Sequence, residues 1–246
     1  MIIGSELIFY KDLPSTNTEA SRLLKEKDLK EGTIIYTDFQ TGGRGQTGNK
    51  WESSKGKNLL FSIILYPDTI LPEDQFLLSM AISLGICDFL DWDLNGAVIK
   101  WPNDIYVKND KIAGILIENS IMGEIIESSV TGIGLNVNQV TFLSGVPNPV
   151  SMKMVTRRDY NLEHCIDKIL ELLDNRYKQL LYSDREILRH DYITRLYRLN
   201  EWHKFRRDGS EFKGRITDVL RSGKLKIEES TGKMSEFSFK EIEYVK

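Results

Sequence analysis

The sequence predicts an α+β protein, with a mixed β-sheet flanked by helices and a small C-terminal β-barrel. Strand-like runs alternate with amphipathic helical patterns up to about residue 198. Beyond that point, short alternating runs are separated by the turn-forming stretches LRSG and STG, which is typical of a small meander or barrel. With 246 residues, 41% of them apolar, the chain can form one large domain and a small appendix. We therefore expect domains at 1–198 and 199–246.

The elements follow from periodicity. Strand-like runs lie at 2–10, 33–38, 58–66, 97–107, 111–118 and 124–138, and helical patterns lie at about 16–27, 72–92, 161–182 and 184–198. The proline-containing stretch 142–159 reads as a surface loop.

Local signals mark the starts of three helices. Thr16 and Glu19 have the spacing of a capping box. Pro72 suits a first helical turn, and Asn161 suits an N-cap.

Composition argues against several classes of function. Lysine and arginine (33) nearly balance aspartate and glutamate (36), so no global positive field favours nucleic acid or anionic lipid. The N-terminus lacks the pattern of a signal peptide, and no apolar run approaches the length of a membrane span. Cys87 and Cys165 lie in helical apolar patterns and match no zinc spacing, which suggests buried reduced thiols and a cytoplasmic protein.

A glycine-rich loop, QTGGRGQTGNKW, follows the second strand-like run at Gln40–Trp51. Glycines let backbone N–H groups curl around an anion, and Arg44 offers a planar fork for phosphate or carboxylate. The loop fits neither a P-loop nor a dinucleotide fingerprint, so a flexible β-connection is the alternative. We expect it to be mobile without ligand and ordered when ligand binds.

Two further segments place polar groups or glycines where a ligand could approach. Ser15 and Asn17 flank a helix start and could hydrogen-bond a small polar ligand. In GIGLNVN, Gly132, Gly134 and Asn136 share one face of a strand pattern. Close approach of a flat ligand would explain the strand glycines, and a bulge or tight packing against a helix is the alternative.

The segment KWPNDIYVKNDKIAGILIEN reads as two strands with three charged residues among apolar ones: Lys100, Asp104 and Lys111. Alternation along the second strand puts Lys111 on the face of Ala113, opposite the face of Gly114. A solvated strand end would explain one lysine. The three charges together favour a functional role for this hairpin.

In order along the chain, STN at 15–17, Q..GRG..G.KW at 40–51, KWPND......K.AGIL.E at 100–118 and GIGLNVN at 132–138 resemble the biotin protein ligases. The resemblance implies a fold distantly like the lipoate ligases and class II aminoacyl-tRNA synthetases, followed by an SH3-like barrel. It also implies two half-reactions, in which biotin and ATP form biotinyl-AMP and a lysine of a biotin carboxyl carrier protein then takes the biotin. Mg²⁺ is the implied metal.

The resemblance assigns roles to particular residues. Those implied for biotin are Ser15, Thr16, Asn17, Gln40, Gly43, Arg44, Lys111, Gly114 and Gly132. Those implied for ATP and the adenylate are Arg44, Gly45, Gln46, Trp51, Lys100, Asn103 and Asn136. Lys111, Arg44 and Asp104 are the implied catalytic residues, with Trp51 as a lid. Asp104 would either orient the incoming amine or help to hold Mg²⁺, and the sequence leaves both open.

The chain departs from the family pattern at two points. The family's loop carries three arginines that are absent here. Gln46 stands at the position of the second arginine in the family's loop, which is associated with retaining the adenylate. STN already begins at residue 15, so we expect no N-terminal helix-turn-helix and no operator DNA as partner. The sequence leaves the oligomeric state undetermined, with a homodimer among the alternatives.

Two rival functions stay open. One is a lipoate or octanoyl ligase on the same scaffold, which the KWPND block and glycine loop disfavour. The other is a catalytically silent nucleotide- or nucleic-acid-binding module that uses residues 198–246, where 12 Lys and Arg face 9 Asp and Glu. That excess is modest and no aromatic recognition motif accompanies it.

Overall fold

The computed structural model describes residues 1–142 and 148–245. Seven strands form a mixed sheet: β1 (Glu6–Leu13), β2 (Thr33–Gln40), β3 (Leu59–Leu65), β4 (Ala97–Lys100), β5 (Asp104–Val107), β6 (Asp110–Met122) and β7 (Ile125–Leu135). Their order is β1-β2-β3-β7-β6-β5-β4, with β1 parallel to β2 and every other pairing antiparallel. The predicted mixed sheet is confirmed.

Helices cover both faces of this sheet. They are α1 (Thr16–Glu26), α2 (Phe76–Asp91), α3 (Met152–Thr156), α4 (Leu162–Tyr182) and α5 (Arg185–Thr194). The main core lies between the sheet and α2 and α4, where Phe61, Phe89 and Leu173 are fully buried. A smaller cluster packs Ala20 and Leu23 of α1 against the opposite face. The sheet therefore has two apolar faces, which explains why β3 reads as a continuous apolar run.

A second, antiparallel sheet forms the C-terminal part of the chain. Its strands are β8 (Trp202–Arg207), β9 (Ser210–Val219), β10 (Leu225–Glu229), β11 (Met234–Phe237) and β12 (Glu243–Tyr244), in the order β11-β10-β9-β8-β12. This arrangement confirms the predicted small C-terminal β structure. The division at residue 198 stays a prediction.

Several boundaries differ from the predicted ones. The run 97–107 is two strands rather than one, because the chain turns at Trp101–Asn103 around Pro102, which has no N–H for a sheet ladder. Pro72 begins a short 3₁₀ turn, and α2 starts only at Phe76. The last helix, predicted to reach residue 198, ends at Thr194.

The predicted loop 142–159 contains a short helix, α3. Ser151 caps it by accepting a hydrogen bond from the backbone N–H of Met154 at 3.2 Å. Part of the loop prediction, at 143–147, lies outside the described residues.

Cys87 and Cys165 are free and buried, as predicted. Burial raises the pKa of the Cys87 thiol to about 12 and that of Cys165 to about 11, so both stay protonated. Among the helices of the described ranges, none combines the length and apolar character that crossing a membrane requires.

The contact between α2 and α4 depends on Gly85. A Cβ added at Gly85 would lie 2.8 Å from Leu173 Cδ2 and 3.0 Å from Leu173 Cα. We expect Gly85→Val to lower the free energy of unfolding in urea by about 1–3 kcal/mol, the typical cost of overpacking.

Ser83→Ala, in the same helix, is the matched control. The Ser83 hydroxyl is buried without a hydrogen-bond partner in the described part of the chain, so its removal should be close to neutral. Wild-type stability of Gly85→Val would mean that the two helices do not pack this closely.

Candidate functional site

A cavity of about 560 Å³ opens between the seven-stranded sheet and the C-terminal sheet. It brings together most of the predicted site residues: Ser15, Thr16, Asn17, Gln40, Arg44, Gly45, Gln46, Trp51, Lys100, Asn103, Asp104, Lys111, Gly114 and Gly132. Gly43 and Asn136 lie beside it. Gly43 is buried where the two ends of the glycine loop meet, and a Cβ there would lie 2.4 Å from Trp51 O. Asn136 is buried and donates from Nδ2 to Val150 O at 3.1 Å.

The start of α1 forms the polar end of the cavity. The backbone N–H of Thr16 donates to Gln40 Oε1 at 2.8 Å, and Thr16 Oγ1 lies 3.2 Å from the same oxygen. Ser62 on β3 lies 2.7 Å from Thr16 Oγ1 and 2.7 Å from Asn17 Oδ1. The predicted capping box is therefore wrong: Ser15 rather than Thr16 is the N-cap residue, and Gln40 accepts the Thr16 N–H that Glu19 would accept in such a box.

Glu118 completes this polar cluster and was not among the predicted site residues. Its Oε2 accepts from Asn17 Nδ2 at 2.8 Å, and its Oε1 forms an ion pair with Arg44 of the glycine loop. The available signal was its position four residues after Gly114 in the AGILIE motif, which returns it to the same strand face. Arg44 is thus held by a protein carboxylate in this state.

Three glycines form the floor of the cavity. Gly114 of β6 pairs with Gly134 of β7, and Gly132 lies two residues before Gly134, on the same face. A Cβ at Gly134 would lie 2.4 Å from Trp51 Cε2, and one at Gly132 would lie 2.1 Å from Asn17 Oδ1. The missing side chains make room for Trp51 and Asn17, so tight packing accounts for these strand glycines. Close approach of a ligand to Gly114 and Gly132 stays a prediction.

The glycine loop is folded as a small hairpin over this floor. Trp51 N donates to Gly43 O at 2.9 Å, and Gly45 N donates to Asn49 O at 2.7 Å. A short 3₁₀ turn at Gln46–Gly48 closes the end. Gln46 Oε1 and Trp51 Nε1 are both buried without a hydrogen-bond partner within the described ranges, which leaves two polar atoms for a ligand. Ordering of the loop by ligand stays a prediction.

Lys111 reaches the cavity because of a β-bulge. Ile105 pairs with Ala113 while Tyr106 pairs with Lys111, so Ile112 is an extra residue in β6. The predicted face of Lys111 is therefore wrong. Its Nζ would lie 3.5 Å from a Cβ on Gly114, on the cavity side.

Lys111 Nζ lies 2.5 Å from Asp104 Oδ1 and 5.7 Å from the centre of the Trp51 ring, and both ionic side chains are 22% exposed. An ion pair that is largely shielded from water resists screening by salt. The geometry therefore holds a cation where β5, β6 and Trp51 meet.

Lys100 and the C-terminal sheet form the other wall. Lys100 Nζ donates to the hydroxyl of Tyr106 at 3.0 Å and lies 5.0 Å from the ring centre of Tyr244. Burial raises the pKa of Tyr106, so the phenol stays neutral and can accept this hydrogen bond. Sequence reasoning missed the contribution of Tyr244 on β12 and of Phe239 between β11 and β12, because these residues carry no motif.

Asn103 and Trp101 fix the turn between β4 and β5. Asn103 Nδ2 donates to Ile115 O at 2.7 Å, and Ile115 N donates to Asn103 O at 3.0 Å. Trp101 Nε1 donates to Gly223 O at 2.8 Å, in the turn between β9 and β10. In this state Asn103 is engaged with the scaffold, and its predicted contact with nucleotide stays a prediction.

For a metal, the described residues hold no group of three or more His, Cys, Asp or Glu side chains. Asp104 is a single carboxylate that is already paired with Lys111. A single carboxylate suits Mg²⁺ only when substrate phosphates and water supply the remaining ligands.

Comparisons with known proteins place this geometry in context. The chain is 36% identical over 141 residues to the bifunctional ligase/repressor BirA of Bacillus subtilis, covering 56% of this chain and 42% of that protein. It is 28% identical over 233 residues to the biotin–acetyl-CoA-carboxylase ligase of Paracoccus denitrificans, covering 89% and 92% of the two chains. The match thus spans about two fifths of the Bacillus protein.

A solved structure resembles nearly the whole fold. The biotin protein ligase of Aquifex aeolicus in complex with biotin and ATP superposes with a TM-score of 0.81 at 25% identity, covering 98% of this chain and 100% of that one. Residues 9–136, just over half of the chain and most of the cavity's motifs, match the biotin/lipoate A/B protein ligase family. The chain belongs to that family.

Proposed function

We propose that this chain is an ATP-dependent ligase that activates biotin as biotinyl-AMP and transfers it to a lysine of a biotin carboxyl carrier protein. One observation carries the proposal: a single cavity joins the polar cluster at Thr16 and Gln40 to the cations Lys111 and Lys100. Biotin has a neutral urea at one end and a carboxylate at the other. The cavity has neutral hydrogen-bonding groups at one end and cations at the other. The names of the Paracoccus and Aquifex relatives support the same substrates.

The ureido ring would bind at the start of α1. Hydrogen-bonding groups at this end come from Ser15, Thr16 and Gln40, while the indole of Trp51 and the glycine floor provide apolar surface. A few polar groups in an otherwise apolar slot are the usual means of orienting a small ligand.

The carboxylate end would lie at Lys111, where the first half-reaction occurs. A carboxylate oxygen of biotin attacks the α-phosphorus of ATP, the bond from that phosphorus to the bridging oxygen breaks, and pyrophosphate leaves. Lys111 offsets the negative charge that the two reactants bring together, and Asp104 holds its ammonium in place before they arrive. Lys100 and Arg44 would bind phosphate oxygens, beside Gly45 of the glycine loop.

In the second half-reaction the carrier lysine, as a free amine, attacks the acyl carbon of biotinyl-AMP and AMP leaves. Asp104 lies where it could accept a hydrogen bond from that amine, or supply one oxygen to Mg²⁺ carried in by the triphosphate. Trp51 over the glycine floor would exclude water from the mixed anhydride.

The wider assignments rest on the same proposal. Residues 1–198 would be the catalytic domain and 199–246 the C-terminal domain, which contributes Phe239 and Tyr244 to the cavity wall. Two buried reduced thiols are consistent with a cytoplasmic protein. A homodimer stays a prediction.

The proposal is tested by incubating the protein with biotin, ATP and a purified carrier domain, followed by a streptavidin blot. Biotinylation of the carrier, and none of a carrier whose acceptor lysine is replaced by arginine, is the expected result. Transfer of lipoate or octanoate but not biotin would favour the rival ligase. No transfer of any acyl group would leave a silent binding module.

Lys111→Met keeps the length and apolar stem of the side chain but removes the charge. We expect biotin-dependent exchange of labelled pyrophosphate into ATP to fall by about 10²–10³, the scale on which one preorganised electrostatic contact acts. Transfer from chemically supplied biotinyl-AMP should fall less. Lys11→Met on the exposed strand β1 is the control, and a folded Lys111→Met enzyme with wild-type exchange would remove Lys111 from the chemistry.

Gln46→Arg restores a charge that the family often carries in this loop. Because the Gln46 amide oxygen is buried in the cavity wall, an arginine there could pair with the adenylate phosphate and slow its release. We expect less biotinylation of bystander proteins in a streptavidin blot, while Gln75→Arg, at an exposed site before α2, should leave it unchanged. An unaltered background for Gln46→Arg would argue against this role.

A further inference from the structure

We infer that Glu118 is a positioning residue that sets the direction of the hydrogen bonds at the biotin end of the cavity. This inference rests on the proposed function and concerns a residue that acts through its neighbours. Its carboxylate receives two donors from residues that line the cavity, Asn17 Nδ2 at 2.8 Å on Oε2 and the Arg44 guanidinium on Oε1. It therefore links the helix start to the glycine loop.

Glu118 fixes the orientation of the Asn17 amide. The Asn17 side chain is buried, and its Nδ2 faces two acceptors, Glu118 Oε2 and Leu116 O at 3.2 Å. A carboxylate and a carbonyl cannot donate, so the nitrogen must point toward them. The amide oxygen is thereby turned toward Ser62 Oγ, 2.7 Å away.

The orientation of Asn17 then decides what Ser62 can do. Ser62 has one hydroxyl hydrogen and two neighbouring oxygens at 2.7 Å, Asn17 Oδ1 and Thr16 Oγ1. Asn17 Oδ1 can only accept, and leaving a buried acceptor unpaired is costly. Ser62 must therefore give its hydrogen to Asn17 for much of the time, which keeps lone pairs of Thr16 Oγ1 available to a ligand.

This series of hydrogen bonds decides which groups donate and which accept at the cavity wall that a ligand contacts. Thr16 Oγ1 offers an acceptor, whereas Gln40 Oε1 is occupied by the Thr16 N–H, so Gln40 presents its Nε2 donor. An acceptor beside a donor complements the adjacent N–H and C=O of a cyclic urea. Glu118, which lies on the far side of Asn17, thus sets the order of donors and acceptors along the cavity wall.

A carboxylate is the group that satisfies both neighbours at position 118. An amide of the same size has one acceptor and one donor, so in either orientation its NH₂ group faces Arg44 or Asn17 Nδ2. Turning Asn17 over would relieve one clash but place its oxygen against Leu116 O. Glutamine at 118 therefore leaves at least one conflict in the cluster.

The test is Glu118→Gln, with the KM values for biotin and ATP measured by pyrophosphate exchange and the biotin Kd measured by calorimetry. We expect the biotin KM and Kd to rise about tenfold, as for loss of one hydrogen bond to a charged group, while the ATP KM changes less than about twofold. Glu127→Gln is the matched control, since Glu127 on β7 carries the same charge but pairs with Ser120. It should bind biotin like wild type.

Ser62→Ala breaks the same series of hydrogen bonds on the other side of Asn17, because it removes the group that donates to Asn17 Oδ1. It should raise the biotin Kd by itself, and replacing Glu118 in that background should add little, because both changes break one pathway. This variant also tests the inference if Glu118→Gln does not fold.

The outcomes separate the two proposals. A wild-type protein that neither binds biotin nor exchanges pyrophosphate overturns the proposed function. If wild type is active but Glu118→Gln keeps its biotin Kd, the inference is wrong and the function stands. A rise in the ATP KM alone would show that Glu118 acts through Arg44, which also overturns the inference.

Discussion

The site depends on one constraint, the bare backbone where β6 and β7 pair at Gly114 and Gly134. A Cβ at Gly134 would overlap the indole of Trp51, at 2.4 Å from its Cε2, and one at Gly114 would lie only 3.1 Å from the same ring. At nearby Gly132, a Cβ would overlap the amide of Asn17. Because these positions lack side chains, the glycine loop and the start of α1 can both pack against the same surface of the sheet. The cavity exists because two elements distant in the chain share a floor without side chains.

Charge is added to this floor by a local irregularity. The bulge at Ile112 turns Lys111 onto the cavity face, where Asp104 holds it. Glu118 pairs in the same way with Arg44 at the other end. Lys111 and Arg44 are therefore both paired with a carboxylate, so neither charge is left unpaired in a partly buried site. Both are also in position to bind an anionic substrate.

Much of this could be predicted from sequence, and the failures have physical causes. The helix assignments followed from apolar periodicity. Helices cover both faces of the sheet, so a central strand such as β3 could be predicted from its nearly continuous apolar run. The face of Lys111 was wrong because strict alternation cannot reveal a bulge. The capping box was wrong because Gln40, 24 residues away, accepts the N–H of Thr16. Phe239 and Tyr244 were missed because contacts between sheets leave no local motif.

We propose above all that this cavity joins biotin to the α-phosphate of ATP. This proposal is tested most directly by exchange of labelled pyrophosphate into ATP, measured with biotin, with lipoate and with no added acid. Exchange that requires biotin, and that lipoate does not support, is the predicted result. Exchange independent of biotin, or absent in a folded protein with both substrates present, would show that the cavity does not activate biotin.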